Sequence, residues 1–278
     1  MIKDILVHVE DGDETKARVN FAIAMAQSAD AHLAGVYMNC EMSMPAFAYG
    51  PVSGEVITTL KRQGDEAAQR ARKTYDTLCD AAGVPVDYRE DTISEAQAAA
   101  RLALHARYAD LIVVGQTNPD EAGRIGGSDL PELVLMSAGR PVLVVPYIGV
   151  RNAAIKTVVV GWDGSREAAR AVNDAMPLLQ QADTVIVLSA NTEHGDRGIL
   201  PGVDIAHHLA RHGVKAEVQR SNAEDMEPAE LLLSRIADVG ADMLVMGGYG
   251  HSRVREMILG GVSRTILREM TVPVFMSH

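Results

Sequence analysis

The sequence predicts an α/β protein made of two tandem doubly wound, Rossmann-like domains, each a five-stranded, mostly parallel sheet with helices on both faces. Two observations support this prediction. The chain repeats itself, because the segment starting at Asp4 resembles the one starting at Thr157, and the segment at Tyr108 resembles the one at Gly240. Short apolar runs also alternate with segments of helical spacing, and these runs are apolar on both faces, as strands covered on both sides are.

The length of 278 residues is sufficient for two such domains. The repeat period is too long for a solenoid, so it indicates one domain that was duplicated and fused, with the junction between Tyr147 and Ala154. We therefore expect domains at residues 1–147 and 155–278. The first repeat is longer because it carries an extra loop and helix between Asn39 and Ala82.

The second repeat shows the alternation of strands and helices most clearly. Its strands are predicted at residues 157–161, 185–190, 216–220, 243–246 and 274–276. Its helices are predicted at residues 166–181, 204–211, 228–239 and 263–268. In such sheets ligands bind beyond the carboxyl ends of the strands, where the strand order reverses, so we expect a site at the ends of the first and fourth strands.

The composition excludes several classes of protein. With 47% hydrophobic and 23% charged residues the chain is typical of a globular protein, and its net charge of −11 disfavours general binding to nucleic acid or to anionic membranes. The cysteines Cys40 and Cys79 form neither a CxxC motif nor a disulfide framework. The apolar run at the N-terminus is too short for a secretory signal or a membrane span, so we expect a cytoplasmic protein.

A glycine-rich loop follows the fourth strand of the second repeat and reads MGGYGHSRVREMILGGVSRTIL from Met246. Glycine lets a ligand approach backbone amides, and the start of a helix attracts an anion. His251 and Arg253 add positive or potentially positive charge, so a phosphate chain is the expected guest. The positions expected to face it are Met246, Gly247, Gly250, Gly260, Gly261, Val262 and Ser263.

The end of the first strand is expected at the same edge and reads Gly161, Trp162, Asp163. The carboxylate of Asp163 suits a hydrogen bond from an adenine amino group or a ribose hydroxyl, although Asp at this position also commonly caps the following helix. Ala190, at the end of the second strand, is expected to offer backbone contacts to a base.

With these motifs the chain resembles a tandem universal stress protein over nearly its whole length. The nucleotide signature of that family is G, two residues, G, nine residues, then G followed by Ser or Thr; here Gly247, Gly250 and Gly260 fit the spacing, and Gly261 replaces the hydroxyl residue. The resemblance implies ATP in the C-terminal domain, with Mg²⁺ held through the phosphates, and Asp163 beside the adenine. It also implies that residues 260–263 cradle the polyphosphate.

The same resemblance implies that the last strands of the two repeats, at residues 141–145 and 273–276, pair within the chain as a pseudo-dimer. It leaves further homo-oligomers open. In the first repeat the signature is degenerate: Gly115 is retained, but Asn118 occupies the position of the second glycine and Glu10 that of Asp163. We therefore expect the first repeat to bind nucleotide weakly or not at all.

The leading hypothesis is a stress-response protein that acts as a nucleotide-dependent regulatory or interaction module toward an unknown protein partner. The alternatives are a slow ATPase or nucleotidyl-transfer enzyme, and an interaction scaffold that binds no nucleotide. The sequence contains no P-loop, GxSxG or HExxH motif, so no catalytic residue is assigned. His208 and His212 lie one helical turn apart; a solvated helix face is favoured over a zinc site, and no resident metal is predicted.

Overall fold

The computed structural model describes residues 1–41, 54–119, 129–190, 202–221, 226–250 and 261–278. Its contacts divide the chain into two compact units. The N-terminal unit comprises Ile2–Ala138, and the C-terminal unit comprises Gly139–His278 together with Met1. None of the described helices combines the length and apolar character that a membrane crossing requires.

The N-terminal unit alternates strands and helices. Its strands are β1 (Asp4–Val9), β2 (His32–Glu41), β3 (Asp87–Ser94) and β4 (Leu111–Gly115). Its helices are α1 (Asp13–Ala29), α2 (Gly54–Ala82), α3 (Ala98–Ala106) and α4 (Leu130–Ala138). The strands lie in the order β3-β2-β1-β4 and pair in parallel.

The C-terminal unit repeats this arrangement. Its strands are β5 (Val142–Val145), β6 (Thr157–Gly161), β7 (Thr184–Ala190), β8 (Ala216–Ser221), β9 (Met243–Gly247) and β10 (Val274–Ser277). Its helices are α5 (Arg166–Asp174), α6 (Met176–Leu179), α7 (Val203–Arg211), α8 (Pro228–Val239) and α9 (Val262–Glu269). The strand order is β5-β10-β9-β6-β7-β8, and β6, β7, β8, β9 and β10 pair in parallel.

The central strands are buried on both faces of the sheet. Val158, Val159 and Val160 on β6 are all 0% exposed, although successive side chains of a strand point to opposite faces. Helices therefore cover both faces, with α5 packed against β9 and β10 and α8 packed against β6 and β7. The predicted α/β fold class is confirmed.

The last strand of each repeat takes part in one antiparallel pair. Val144 on β5 lies opposite Val274 on β10, and Val142 lies opposite Met276. This confirms the predicted pairing of the two last strands. It also explains why the compact units divide after residue 138, ahead of β5, whereas the sequence repeat ends some residues later.

One predicted helix is interrupted in the structure. The sequence analysis expected a single helix over residues 166–181, but α5 ends at Asp174 and α6 begins at Met176. Pro177 accounts for the break, because proline has no amide hydrogen to donate to the preceding turn. By contrast, α8 begins at Pro228 and ends at Val239 as predicted, and Gly240 closes it in a left-handed conformation with φ 60°.

Candidate functional site

The first wall of the candidate site follows β6. The amide of Trp162 extends the parallel ladder by donating to the carbonyl oxygen of Leu188 at 2.9 Å. Ser165 is then the N-cap of α5, because its Oγ accepts a hydrogen bond from the amide of Ala168 at 3.1 Å. These bonds fix the turn that presents Asp163.

Asp163 is exposed at the end of this turn. Its Oδ1 accepts a hydrogen bond from the backbone amide of Ser165 at 2.9 Å, so the carboxylate helps to start α5. Within the described part of the chain, Oδ2 accepts no hydrogen bond. Capping and ligand contact are therefore compatible, since they use different oxygens of one carboxylate.

The second wall begins with Gly247 at the end of β9, where the structure gives the glycine a packing role. A Cβ atom on Gly247 would lie 2.5 Å from the amide nitrogen of Ala168 and 2.7 Å from the carbonyl carbon of Glu167. Both contacts are with backbone, so β9 and α5 approach each other in a way that only glycine permits. Ligand approach is not needed to explain this residue.

A buried carboxylate lies against the loop that follows. The side chain of Glu167 is 4% exposed and pairs with Nε of Arg166. Burial opposes ionisation of this carboxyl, but the hydrogen bond and charge of Arg166 outweigh that effect and hold the pKa of Glu167 below its usual range. A Cβ atom on Gly250 would lie 3.0 Å from Glu167 Oε2, so an acidic group introduced there would meet a like charge.

The start of the loop is tied to α9 and β10. The amide of Tyr249, whose φ is 55°, donates to Oγ of Ser263 at 3.1 Å, and the amide of Gly248 donates to the carbonyl oxygen of Ser277 at 2.9 Å. Ser263 is 4% exposed, so this hydroxyl holds the loop. The sequence predicted only that Ser263 faces the phosphate chain; the structure shows that its hydroxyl oxygen also accepts a hydrogen bond from the loop.

The amino end of α9 faces the same space. Its N-cap is Gly261, which supplies no side-chain cap, and the amides of Arg264 and Thr265 donate to the carbonyl oxygen of Gly261. The amides of Val262 and Ser263 have no acceptor among the residues that the structure describes. Free amides at a helix start are an anion-binding arrangement, reinforced by the helix dipole.

These elements surround a cavity of about 240 Å³ at the carboxyl ends of β6 and β9. Leu188 from β7, Leu232 from α8 and Met246 from β9 give it an apolar floor, whereas Asp163 and Ser263 lie at its polar side. The lining residues are Gly161, Trp162, Asp163, Ser165, Leu188, Pro228, Leu232, Met246, Gly247, Tyr249, Gly250, Val262 and Ser263.

Most of the residues that the sequence singled out lie around this cavity. Those that line it are Gly161, Trp162, Asp163, Met246, Gly247, Gly250, Val262 and Ser263. Gly261 caps α9 immediately before two of them. Ala190 ends β7, but Leu188, two residues earlier, is the β7 residue that lines the cavity. His251, Arg253 and Gly260 lie outside the described residues.

Sequence reasoning missed five lining residues. Ser165 was considered only as a cap, and Tyr249 lies inside the signature between two glycines. Pro228 and Leu232 belong to α8, one helical turn apart, and their contribution depends on how that helix packs over β6. Proline at the start of a helix after the third strand was the available signal, but it indicated a helix start and not a ligand contact.

Of the two histidines, His208 lies on α7 and His212 is the C-cap of that helix. The ring centroids of His208 and His212 are 4.6 Å apart, as expected for positions one turn apart. Among the described residues, no group of three or more His, Cys, Asp or Glu side chains is placed to hold a metal ion.

The sequence profile of the universal stress protein family matches residues 1–146 and again residues 154–278. A universal stress protein of Mycolicibacterium smegmatis is 26% identical over an alignment that covers 97% of this chain and 95% of that protein. The universal stress protein Slr1230 of Synechocystis is 27% identical over 59% of this chain, and the matched region spans 56% of its length.

A solved structure of a universal stress protein shows the same fold. A universal stress protein from Archaeoglobus fulgidus superposes with a TM-score of 0.73 at 16% identity, covering 98% of this chain and 94% of that one. A universal stress protein solved in complex with cAMP shares 22% identity over 52% of this chain and 97% of its own, with a TM-score of 0.37. The cAMP in that structure is a ligand of that protein.

Proposed function

This chain belongs to the universal stress protein family, and we propose that its C-terminal repeat, residues 155–278, binds ATP with Mg²⁺ held through the phosphates. Bound nucleotide then changes the surface that the protein offers to a partner. The observation that supports this proposal is the cavity of about 240 Å³, which combines an apolar floor with an uncapped helix start. Such a combination suits a flat base at one end and a phosphate chain at the other.

The apolar end of the cavity suits the base. Leu188, Leu232 and Met246 line the cavity and offer van der Waals contact to a planar ring. Oδ2 of Asp163 can accept a hydrogen bond from an exocyclic amino group or a ribose hydroxyl, since it is Oδ1 that accepts from the amide of Ser165.

The polar end suits phosphate. The amides of Val262 and Ser263 point out of the start of α9. Oγ of Ser263 accepts a hydrogen bond from the amide of Tyr249, and its hydroxyl hydrogen has no acceptor among the described residues. Gly250 leaves the loop without a side chain on this side. The Mg²⁺ is expected to be held through the phosphates, whose charge it neutralises.

The direct test is calorimetric titration of the purified protein with ATP, with and without MgCl₂, together with fluorescence of Trp162. Trp162 is the single tryptophan of the chain and lines the cavity, so its emission is a local reporter. Gly250→Asp is expected to lower affinity at least about tenfold, because it adds negative charge beside the phosphates. Gly54→Asp is the matched control: it makes the same change at a site where a Cβ atom meets nothing within 4 Å.

Two results would contradict the proposal: a wild-type protein that binds no ATP at millimolar concentration, or a Gly250→Asp variant that binds as tightly as Gly54→Asp. Following ADP release over hours separates a binding module from an enzyme. Binding with no product beyond one equivalent supports the module, whereas sustained release favours the ATPase. We further propose a cytoplasmic location, in keeping with the free thiols of Cys40 and Cys79.

A further inference from the structure

The two repeats differ at three positions that line the cavity of the second. In the first repeat these positions carry larger side chains, and the structure shows what each of them contacts. The matched pairs are His8 with Gly161, Glu10 with Asp163, and Asn118 with Gly250.

His8 is buried near the end of β1. Its side chain is fully buried, neither ring nitrogen has a hydrogen-bond partner among the described residues, and Nδ1 lies 3.9 Å from Oε2 of Glu10. A buried imidazole without hydrogen bonds is unfavourable, so its contribution to the fold here is its volume. The imidazole stands at the position matched to Gly161, which has no side chain.

The two polar residues that match the ligand-facing positions are engaged within the protein. Nη2 of Arg18 donates to Oε2 of Glu10 at 2.7 Å and to Oγ1 of Thr15 at 2.9 Å, and the Arg18 side chain is 3% exposed. Nδ2 of Asn118 donates to Oε1 of Glu14 at 2.8 Å. In contrast to the exposed Asp163, the Glu10 carboxylate is 15% exposed and committed to a buried cation.

The helices that pack over these two strands also differ in the size of the side chains that they bury. A Cβ atom on Gly161 would lie 3.3 Å from Cδ2 of Leu232 on α8 and 3.5 Å from Cβ of Met246. The corresponding helix α3, which packs against β1, buries small residues beside Leu102. These small residues are Ala98, Ala99, Ala103 and Ala106. The strand that carries His8 thus packs against a helix that buries mostly alanine, and the strand that carries Gly161 packs against a helix that buries Leu231 and Leu232.

We propose that the residue two positions before the strand-end acid, His8 in the first repeat and Gly161 in the second, determines which repeat accepts a ligand. Gly161 keeps the cavity open over β6, and His8 closes the matched crevice over β1. This inference rests on the proposed function, and it predicts one nucleotide per chain. The identity of this residue, and not the glycine signature alone, sets the specificity of each repeat.

The test transfers the first-repeat arrangement to the second. Leu232→Ala provides the reference affinity, and Gly161→His in that background adds the imidazole under a small helix residue. ATP affinity by calorimetry is expected to fall at least about 100-fold between the single and the double variant, with unchanged circular dichroism. Equal affinities of the two folded variants would overturn the proposal, as would two nucleotides per wild-type chain.

Crystal structures distinguish this inference from the proposed function. If the wild-type protein binds no nucleotide, the proposed function fails, and the structures of His8→Gly and of Gly161→His with Leu232→Ala still decide the inference. It is supported if a cavity opens at the end of β1 in the first and the cavity over β6 closes in the second. It is overturned if the β1 end stays filled without His8. Should the double variant not fold, the His8→Gly structure alone decides.

Discussion

The buried imidazole of His8 gives the N-terminal unit a predictable sensitivity to acid. Burial lowers the pKa of His8 from 6.5 to about 4; the charge of Glu10 opposes this shift and that of Arg18 adds to it. The unfolded chain therefore takes up a proton near pH 6.5, whereas the folded protein resists protonation until about pH 4. Since the unfolded state binds more protons in this window, the contribution of His8 to stability is fully present above pH 6.5. This contribution is lost as the pH falls toward 4.

The expected magnitude follows from the two pKa values. At about 1.36 kcal/mol per pKa unit, the His8 contribution to the free energy of unfolding falls by about 2 kcal/mol between pH 7 and pH 5. His8→Leu removes the titrating group while keeping an apolar side chain in the buried position, so the variant is expected to lose about 2 kcal/mol less than wild type over this range.

Urea unfolding at pH 7 and pH 5, followed by far-ultraviolet circular dichroism, measures this difference. The fluorescence of Trp162 follows the C-terminal unit separately and is expected to show no effect of the substitution on its pH dependence. His32→Gln, at an exposed histidine of the same unit, is the matched control. If His8→Leu and wild type lose the same stability between pH 7 and pH 5, the assignment of His8 as a neutral buried group is wrong.

Three further predictions concern packing, charge and thiol chemistry. Gly247→Ala places a methyl group 2.5 Å from the amide nitrogen of Ala168 and is expected to cost about 1–3 kcal/mol of unfolding free energy by urea titration; an unchanged midpoint would contradict the packing role. Arg18→Ala leaves the largely buried Glu10 without this cation and is expected to cost about 3 kcal/mol, with a loss under about 1 kcal/mol arguing against the ion pair. Burial raises the pKa of Cys40 to about 11, so iodoacetamide at pH 8 is expected to alkylate it about 100-fold more slowly than a free thiol, and rapid alkylation would refute this.

The sequence predicted the elements whose signals are local. Runs such as Val158–Val160 identify strands buried on both faces, and Pro228 and Gly240 mark the start and end of α8. Pro177 is also a local signal for a helix break, although the helical spacing of apolar residues continues on both sides of it. The spacing of the glycines predicted one side of the candidate site, because a glycine-rich loop directly after a strand lies at the carboxyl end of the sheet.

The remaining features depend on contacts between segments far apart in the chain. Nothing local to Gly247 shows that the backbone of Glu167 and Ala168 packs against it, and nothing local to Leu232 shows that it lies over Gly161. The ion pair of Glu10 could not be predicted from the sequence either, because nothing in the sequence distinguishes Arg18 from the other arginines. The pair forms only when α1 packs and buries Arg18. The sequence showed only that Glu10 stands at the position of Asp163, whereas the structure shows its carboxylate in a buried ion pair.

The two repeats share one fold but pack differently at the ends of their first strands. In the second repeat, the strand-end acid is exposed and a cavity remains beside a glycine, so part of the possible packing is left unmade. In the first, His8 and the Arg18–Glu10 pair occupy the matched positions and make that packing permanent. A ligand that binds only the folded C-terminal unit stabilises it by mass action, and the N-terminal unit gains the equivalent contacts from its own side chains. Under the proposed function, the internal packing of the first repeat stands in for the contacts that a bound nucleotide makes in the second.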